Sequence, residues 1–444
     1  MPEVKPSARK LPWLQLSIGR ASGAAQAARN AGTLHYIVAI FAVQGLSYLT
    51  QFTIAKVAGP ADFAVVRTVE ATLNVLLVVA SIGMPMLAVT TIAGLASESE
   101  QGRMVGGLLA ISVVGGLIVA AVATLAAGWL AQPAPSYLRG LAWILALTAG
   151  SRTSLNYFQG KQQVQRVAGF SVVLSLISLA IVIVAVWAGG LRGWIVGRYL
   201  SEALFLGMML RAIGPTLSLS GPLPDGKSVA TLLRAGSGIA MSLLIRTAGD
   251  NAGIFMLNAA GASRPAIGYF GLSSLALVAI LIVPGAIPSV ALPRLVARLN
   301  DRRAVHELVK KVGLGSLGAS VLLACVTAVF AAPILHVFLP SYGPALPILY
   351  VLLIAVPFRL LSSMSGMVLV ACSAVRYTVW INSLSLAVTV GLGWPLTARF
   401  GAIGTAIAVV AGEAISALAY VVSASTRLNY SLSARSAFDR ASIP

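Results

Sequence analysis

The chain has 444 residues, 58% of them hydrophobic and 10% charged, and its mean hydropathy is +0.91. A water-soluble domain carries roughly 25% charged residues, so a soluble enzyme or soluble binding module is excluded. The formal net charge of +19 does not point to nucleic acid, because Lys and Arg fall mostly in short connections between apolar runs, where membrane topology is decided.

The first 33 residues are basic (Lys5, Arg9, Lys10, Arg20, Arg29) and enter an apolar run without a small-residue cleavage site. They read as a cytoplasmic tail rather than a secretory signal. Leu11, Trp13, Leu14 and Ile18 fit a short interfacial helix. Beyond the tail, the apolar runs reach about 20 residues or more and show no strand-like alternation. In hydrocarbon every backbone N–H and C=O must be paired within the protein, so these runs are predicted helices.

Twelve spans are predicted: 34–56, 66–94, 104–128, 138–158, 167–188, 191–211, 234–256, 267–292, 312–335, 345–371, 377–398 and 401–425. They divide the chain into a tail (1–33), a six-helix lobe (34–211), a cytoplasmic linker (212–233), a second six-helix lobe (234–425) and a C-terminal tail (426–444). Pro85, Pro284, Pro288, Pro357 and Pro395 lie inside spans, where they kink helices and free carbonyls. Trp13, Trp194 and Trp380 lie near predicted helix ends and read as interface anchors. Cys325 sits inside an apolar run and Cys372 at the end of another, which suits neither a metal site nor a disulfide framework.

With the N-terminus in the cytoplasm, 21 Lys/Arg fall inside and five outside (Lys56, Arg139, Arg192, Arg264, Arg399). That bias places both termini of a multi-pass membrane protein in the cytoplasm.

The two halves repeat each other. "AKVAGPADFAVVR" (55–67) matches "LNAAGASRPAIGYF" (257–270), and "SIGMP" (81–85) matches "VPGAIP" (283–288); Gly59/Gly261 and Gly83/Gly285 share an offset of 202. "LSL" at 174–176 meets "LSL" at 384–386, offset 210. "GLRGWIVGRYLSEA" (190–203) meets "GAIGTAIAVVAGEA" (401–414), which pairs Glu202 with Glu413 at offset 211. Six helices followed by six in the same orientation predict an all-α membrane fold of two lobes related by a pseudo-twofold along the membrane normal. Parallel repeats of this kind mark transporters, with the substrate site between the lobes.

A charge at mid-bilayer costs at least about 2.5–3.5 kcal/mol, so each one needs a partner or a function. Arg67/Glu70, Arg198/Glu202 and Arg246/Asp250 share helix faces at spacings of three or four and can neutralise one another. Arg152, Arg359 and Glu413 have no opposite charge nearby on their own helix. They either pair across helices, as Arg359 with Glu413, or line a polar cavity for an anion, to which the guanidinium fork is suited. The three histidines are scattered, and no phosphate loop, metal cluster or nucleophile elbow is present. The chain reads as a non-enzyme without cofactor or metal.

"VAGPADFAVVRTVEATLNVLLVVASIGMPMLAV" (57–89) resembles the opening of the polysaccharide-transporter (Wzx-type) flippases, where a long first helix ends in a Gly-Pro-Asp-Phe-Gly-like turn. In "AGPADFAVV" (58–66) an Ala stands where the family's turn has its last Gly, and in "ASIGMP" (80–85) a Ser stands where the family's second helix has an Asp two residues before Gly. "GAIGTAIAVVAGEA" (401–414) is similar to the family's twelfth-helix pattern. The resemblance implies the fold of the multidrug/oligosaccharidyl-lipid/polysaccharide exporter (MOP) superfamily, with a cavity lined chiefly by the first, second, seventh and eighth helices. It implies a polyprenyl-pyrophosphate-linked oligosaccharide as substrate, flipped by alternating access among membrane lipids, with a glycan polymerase and export machinery as further partners. On that map Arg246, Asp250 and Arg67 belong to lining helices, Gln44 and Tyr48 are the overlaid mates of Arg246 and Asp250, and Arg359 and Arg152 join the cavity. Two other readings remain open: a cation-coupled multidrug exporter of the same fold, or another membrane component of polysaccharide export or polymerisation.

Overall fold

A computed structural model describes residues 23–95, 97–132, 134–214, 226–281, 295, 302–372, 374 and 376–441. The interfacial helix expected around Trp13, the 283–288 repeat with Gly285, and Pro284 and Pro288 lie outside the described residues. Among the described residues all regular structure is helical.

The elements are α1 (Gly23–Ser81), α2 (Met84–Ile92), α3 (Glu98–Leu125), α4 (Ala127–Leu130), α5 (Pro135–Leu141), α6 (Ile144–Gly160), α7 (Val164–Ile213), α8 (Gly226–Ala259), α9 (Arg264–Ile280), α10 (Arg302–Phe338), a 3₁₀ turn (Pro340–Tyr342), α11 (Ala345–Leu353), α12 (Ala355–Ala371) and α13 (Arg376–Ala441). Three of them are double-length. α1 holds spans one and two, α7 five and six, and α13 eleven and twelve, so a single glycine replaces each connecting loop: Gly59 (φ 74°, ψ 173°), Gly190 (φ 56°, ψ −134°) and Gly401 (φ 56°, ψ −134°). A Cβ is disfavoured in those conformations, so the chain can reverse there only at glycine.

Several spans differ from expectation. The second breaks at Ile82–Gly83, both at positive φ, before α2 resumes with Pro85 in its first turn. The fourth is split into α5 and α6, and the tenth into α11 and α12. Helix also extends back to Gly23 and on to Ala441, into both predicted tails.

The repeat is written in the backbone. Gly190 and Gly401 share the same dihedrals, and Gly59 and Gly261 both lie at positive φ (74° and 67°). α6 and α12 each have 17 residues, and both their ends differ by 211 positions. A Cβ on Gly193 would lie 1.7 Å from the Ala185 carbonyl oxygen, and one on Gly404 2.0 Å from that of Leu396, another pair offset by 211. Small residues let backbones approach this closely in membrane helix pairs. Two six-helix lobes related by a pseudo-twofold along the membrane normal result.

Two sequence expectations are corrected. The "LSL" match is one residue out of register, because the elements on both sides of it are offset by 211 rather than 210. Trp194 is no interface anchor: it is 0% exposed inside a core cluster with Ile54, Val186 and Leu145. Gly193 and Gly197 seat this helix directly on its partner at Ala185 and Val182, which turns the neighbouring indole inward. Trp380, by contrast, is exposed.

The lobes meet tightly at the Gly59/Gly261 end. Tyr342 is buried there, donates its hydroxyl to the Ala55 carbonyl at 3.1 Å, and packs edge-on against Phe63 and Tyr269. Asn258 Nδ2 donates to Thr68 Oγ1 at 3.1 Å, and a Cβ on Gly268 would meet the Pro60 carbonyl oxygen at 2.0 Å. At the other end α8 touches the break before α2, where a Gly83 Cβ would lie 2.5 Å from the Gly236 carbonyl oxygen. In the connection after α6, Lys161 Nζ donates to Glu98 Oε1 at 3.1 Å. Burial lowers the pKa of that ammonium, but its bonds to Glu98 and Tyr157 outweigh burial and raise it.

Candidate functional site

Between the lobes lies a cavity of about 820 Å³. Its walls come from α1 (Gln44, Tyr48, Arg67), α6 (Arg152), α8 (Arg246, Asp250), α9 (Ser274, Leu275), α12 (Arg359) and both halves of α13 (Asn382, Glu413). On every one of these helices the lining residues lie away from the Gly59/Gly261 turns, so the Tyr342 contacts close the cavity at one end. Ligand sites of this size sit where elements converge and few polar groups point inward.

The structure brings Arg246, Asp250, Arg359, Arg152, Arg67, Gln44 and Tyr48 into one cavity, together with Glu413. Glu202 does not reach it. The expected lining by the first, second, seventh and eighth helices is only part of the wall: spans ten, eleven and twelve contribute nearly as much, so the cavity is cut mainly into the C-terminal lobe.

The charges fall into three groups. Arg67 is paired with Glu70 at 3.2 Å, and Gln51 Nε2 donates to both carboxylate oxygens at 2.7 and 2.9 Å. On the C-terminal side Arg359 is the hub: Nη1 donates to Glu413 and Nη2 to Asp250, while Arg246 Nε reaches Asp250 at 3.4 Å. The missing partners of Arg359 and Glu413 are therefore each other, across α12 and α13. Arg152 is exposed to the cavity, and among the described residues no carboxylate pairs with it.

Glu202 and Glu413 stand at the same interval past Gly190 and Gly401, with side chains 14% and 15% exposed. Their surroundings differ. Glu202 accepts from Ser151 Oγ at 3.1 Å and lies 3.8 Å from Arg198 on its own helix, whereas Glu413 is held by Arg359 from another helix.

A set of neutral polar residues escaped the sequence reading. Thr378, Asn382, Ser385 and Thr389 line the cavity, as do Val409, Glu413, Ser416 and Tyr420 on the next span. Tyr420 donates its hydroxyl to Asn382 Oδ1 at 3.1 Å, and Ser385 Oγ donates to the Gly412 carbonyl at 3.0 Å. Their spacing of four, three and four is a helical stripe, so a search for polar periodicity inside apolar spans would have found them.

No protein-family model and no curated protein matches the sequence. Among solved structures the chain is similar to an inward-facing multidrug-resistance MATE transporter of the MOP superfamily: TM-score 0.70, 15% identity, 87% of this chain and 95% of that one. It is also similar to the lipid II flippase MurJ in an inward closed conformation: TM-score 0.70, 13% identity, 89% of each chain. A third likeness is to a MOP-superfamily transporter from Pyrococcus furiosus, whose binding pocket is described as reversed in polarity: TM-score 0.61, 13% identity, 90% and 96%. At these identities the likeness is one of fold: the chain is a multi-pass membrane protein with the twelve-helix, two-lobe fold of those structures.

Proposed function

We propose that this chain is a flippase that moves a polyprenyl-pyrophosphate-linked oligosaccharide across the bacterial inner membrane by alternating access. The observation that carries this reading is the cavity's charge balance: four arginines (Arg67, Arg152, Arg246, Arg359) against two carboxylates, Asp250 and Glu413. The pyrophosphate is the part of such a substrate that cannot cross hydrocarbon unaided. Arginines in a water-filled cleft replace its hydration with charge-assisted hydrogen bonds, two at a time per guanidinium. The hydroxyls and amides of α12 and α13 suit sugar hydroxyls, and the polyprenyl tail stays in lipid. The lobes at 34–211 and 234–425, joined by the linker at 212–233, rock about the cleft. With both termini cytoplasmic, the Tyr342 contacts form the periplasmic seal, and the approach of Gly83 to Gly236 lies at the cytoplasmic end of the cavity. Transport by this route needs no enzymatic step.

The test is complementation of glycan export. Arg152→Gln removes the cavity arginine without a carboxylate partner and should abolish export at normal protein abundance. Arg246→Ala should do the same, because Asp250 keeps Arg359 and the protein stays inserted; Arg246→Lys should retain part of the activity, having lost the fork. Normal export by both Arg152→Gln and Arg246→Ala defeats the reading. The multidrug alternative requires a carboxylate free to take a cation, whereas both cavity carboxylates here are occupied by arginine. Drug resistance conferred by the wild type, lost in Asp250→Asn, would favour that alternative.

A further inference from the structure

We infer that Glu413 has two resting places, Arg359 and the hydroxyl of Ser362, and that an anion entering the cavity moves it from the first to the second. Ser362 thereby becomes the positioning residue that lets Arg359 grip the substrate. The inference rests on the anionic reading above for its ligand, and on the repeat for its geometry.

Ser362 lines the cavity, is only 7% exposed, and its Oγ has no hydrogen-bond partner among the described residues. A buried hydroxyl without a partner costs free energy, so its persistence requires a reason. The repeat supplies one. Ser362 lies 211 positions after Ser151, as Glu413 lies 211 after Glu202, and Ser151 Oγ donates to Glu202 at 3.1 Å. The residue offset in the same way from Arg359 is Thr148, which is buried and uncharged, so no arginine on α6 competes with Ser151 for Glu202, and Arg198 at 3.8 Å leaves that bond in place. In the C-terminal lobe Arg359 has drawn Glu413 off, and Ser362 is left waiting.

Each acid that Arg359 holds thus has a second partner ready. Asp250 already has Arg246 at 3.4 Å, and Glu413 has the Ser362 hydroxyl. Arg359 can turn both ends of its fork to a phosphate without leaving either carboxylate bare in the membrane. Removing one partner of a buried ion pair is otherwise strongly destabilising. Only one lobe carries this exchange, which matches a cavity cut mainly into that lobe.

The experiment measures binding of farnesyl pyrophosphate to the purified protein in nanodiscs, together with a melting-temperature cycle. A hydrogen bond to a charged group contributes enough that Ser362→Ala should weaken binding about tenfold, and Ser362→Thr should restore it. Glu413→Gln removes the competitor for Arg359 and should tighten binding. Ser151→Ala, at the matching position outside the cavity, should leave binding unchanged. Without ligand, Ser362→Ala should hold or raise the melting temperature of the wild type, since the buried hydroxyl has no partner there. It should lower that of Arg359→Ala, where Glu413 has only Ser362. If Ser362→Ala binds as tightly as wild type and the melting cycle shows no coupling, the exchange is overturned, while loss of binding in Arg152→Gln still upholds the anionic reading. If the wild type binds no farnesyl pyrophosphate, the anionic reading falls, and the melting cycle alone decides whether Glu413 exchanges partners.

Discussion

Gly268→Ala tests alternating access at one atom. Gly268 belongs to the C-terminal lobe and faces Pro60 of the N-terminal lobe beside the Tyr342 seal, where an added Cβ would lie 2.0 Å from the Pro60 carbonyl oxygen and 2.9 Å from its carbon. Both atoms are backbone, so no side chain can swing aside. Reaching ordinary contact requires the two helices to part by about 1.5 Å. Overpacking of this kind costs about 1–3 kcal/mol, and the cost applies only to the conformation in which the lobes touch here. The balance between the closed and open seal should therefore shift about 5- to 150-fold toward open. The assay replaces Cys325 and Cys372 with serine, introduces Ser363→Cys in the cavity, and labels with an impermeant maleimide from the periplasm. Labelling should rise steeply in Gly268→Ala. Gly193→Ala serves as the control: its clash at 1.7 Å lies inside one lobe, so it should lower stability without changing access. Unchanged labelling in Gly268→Ala at normal abundance, or an equal rise in Gly193→Ala, would refute the seal.

Two further outcomes follow from topology and symmetry. Cysteine at 264 or 399 should label from the periplasm and cysteine at 302 or 435 should not; the reverse pattern would invert the orientation and the assignment of the seal. Gly190→Ala and Gly401→Ala force a Cβ into the same disfavoured backbone conformation, and each should cost about 1–3 kcal/mol of stability. Near-equal drops in melting temperature are expected, and a large inequality would count against equivalent hairpins.

The sites that sequence reasoning reached were those where a residue type is costly in its surroundings. Arg152, Arg246 and Arg359 stand out because charge is expensive in hydrocarbon, and all three face the cavity. Ser362, Asn382 and Thr389 do not stand out, because a hydroxyl or amide can bond its own helix and passes unnoticed in an apolar span. Trp194 shows the opposite error: its place near a predicted helix end suggested an interface, but whether a residue faces lipid or a neighbouring helix is a matter of packing.

By itself the sequence determined the solvent, the secondary structure and the repeat. Hydrocarbon leaves the backbone no choice but to form helices, and glycines at matching positions in the two halves mark where the chain reverses. Which charges meet could be decided only by the tertiary structure. Arg359 lies 109 positions from Asp250 and 54 from Glu413, and no local periodicity joins residues that far apart. Packing α12 and α8 side by side on α13 does so, and places one guanidinium between two carboxylates. The same packing gives Glu202 a serine and Glu413 an arginine, so two lobes built on one pattern became chemically unequal.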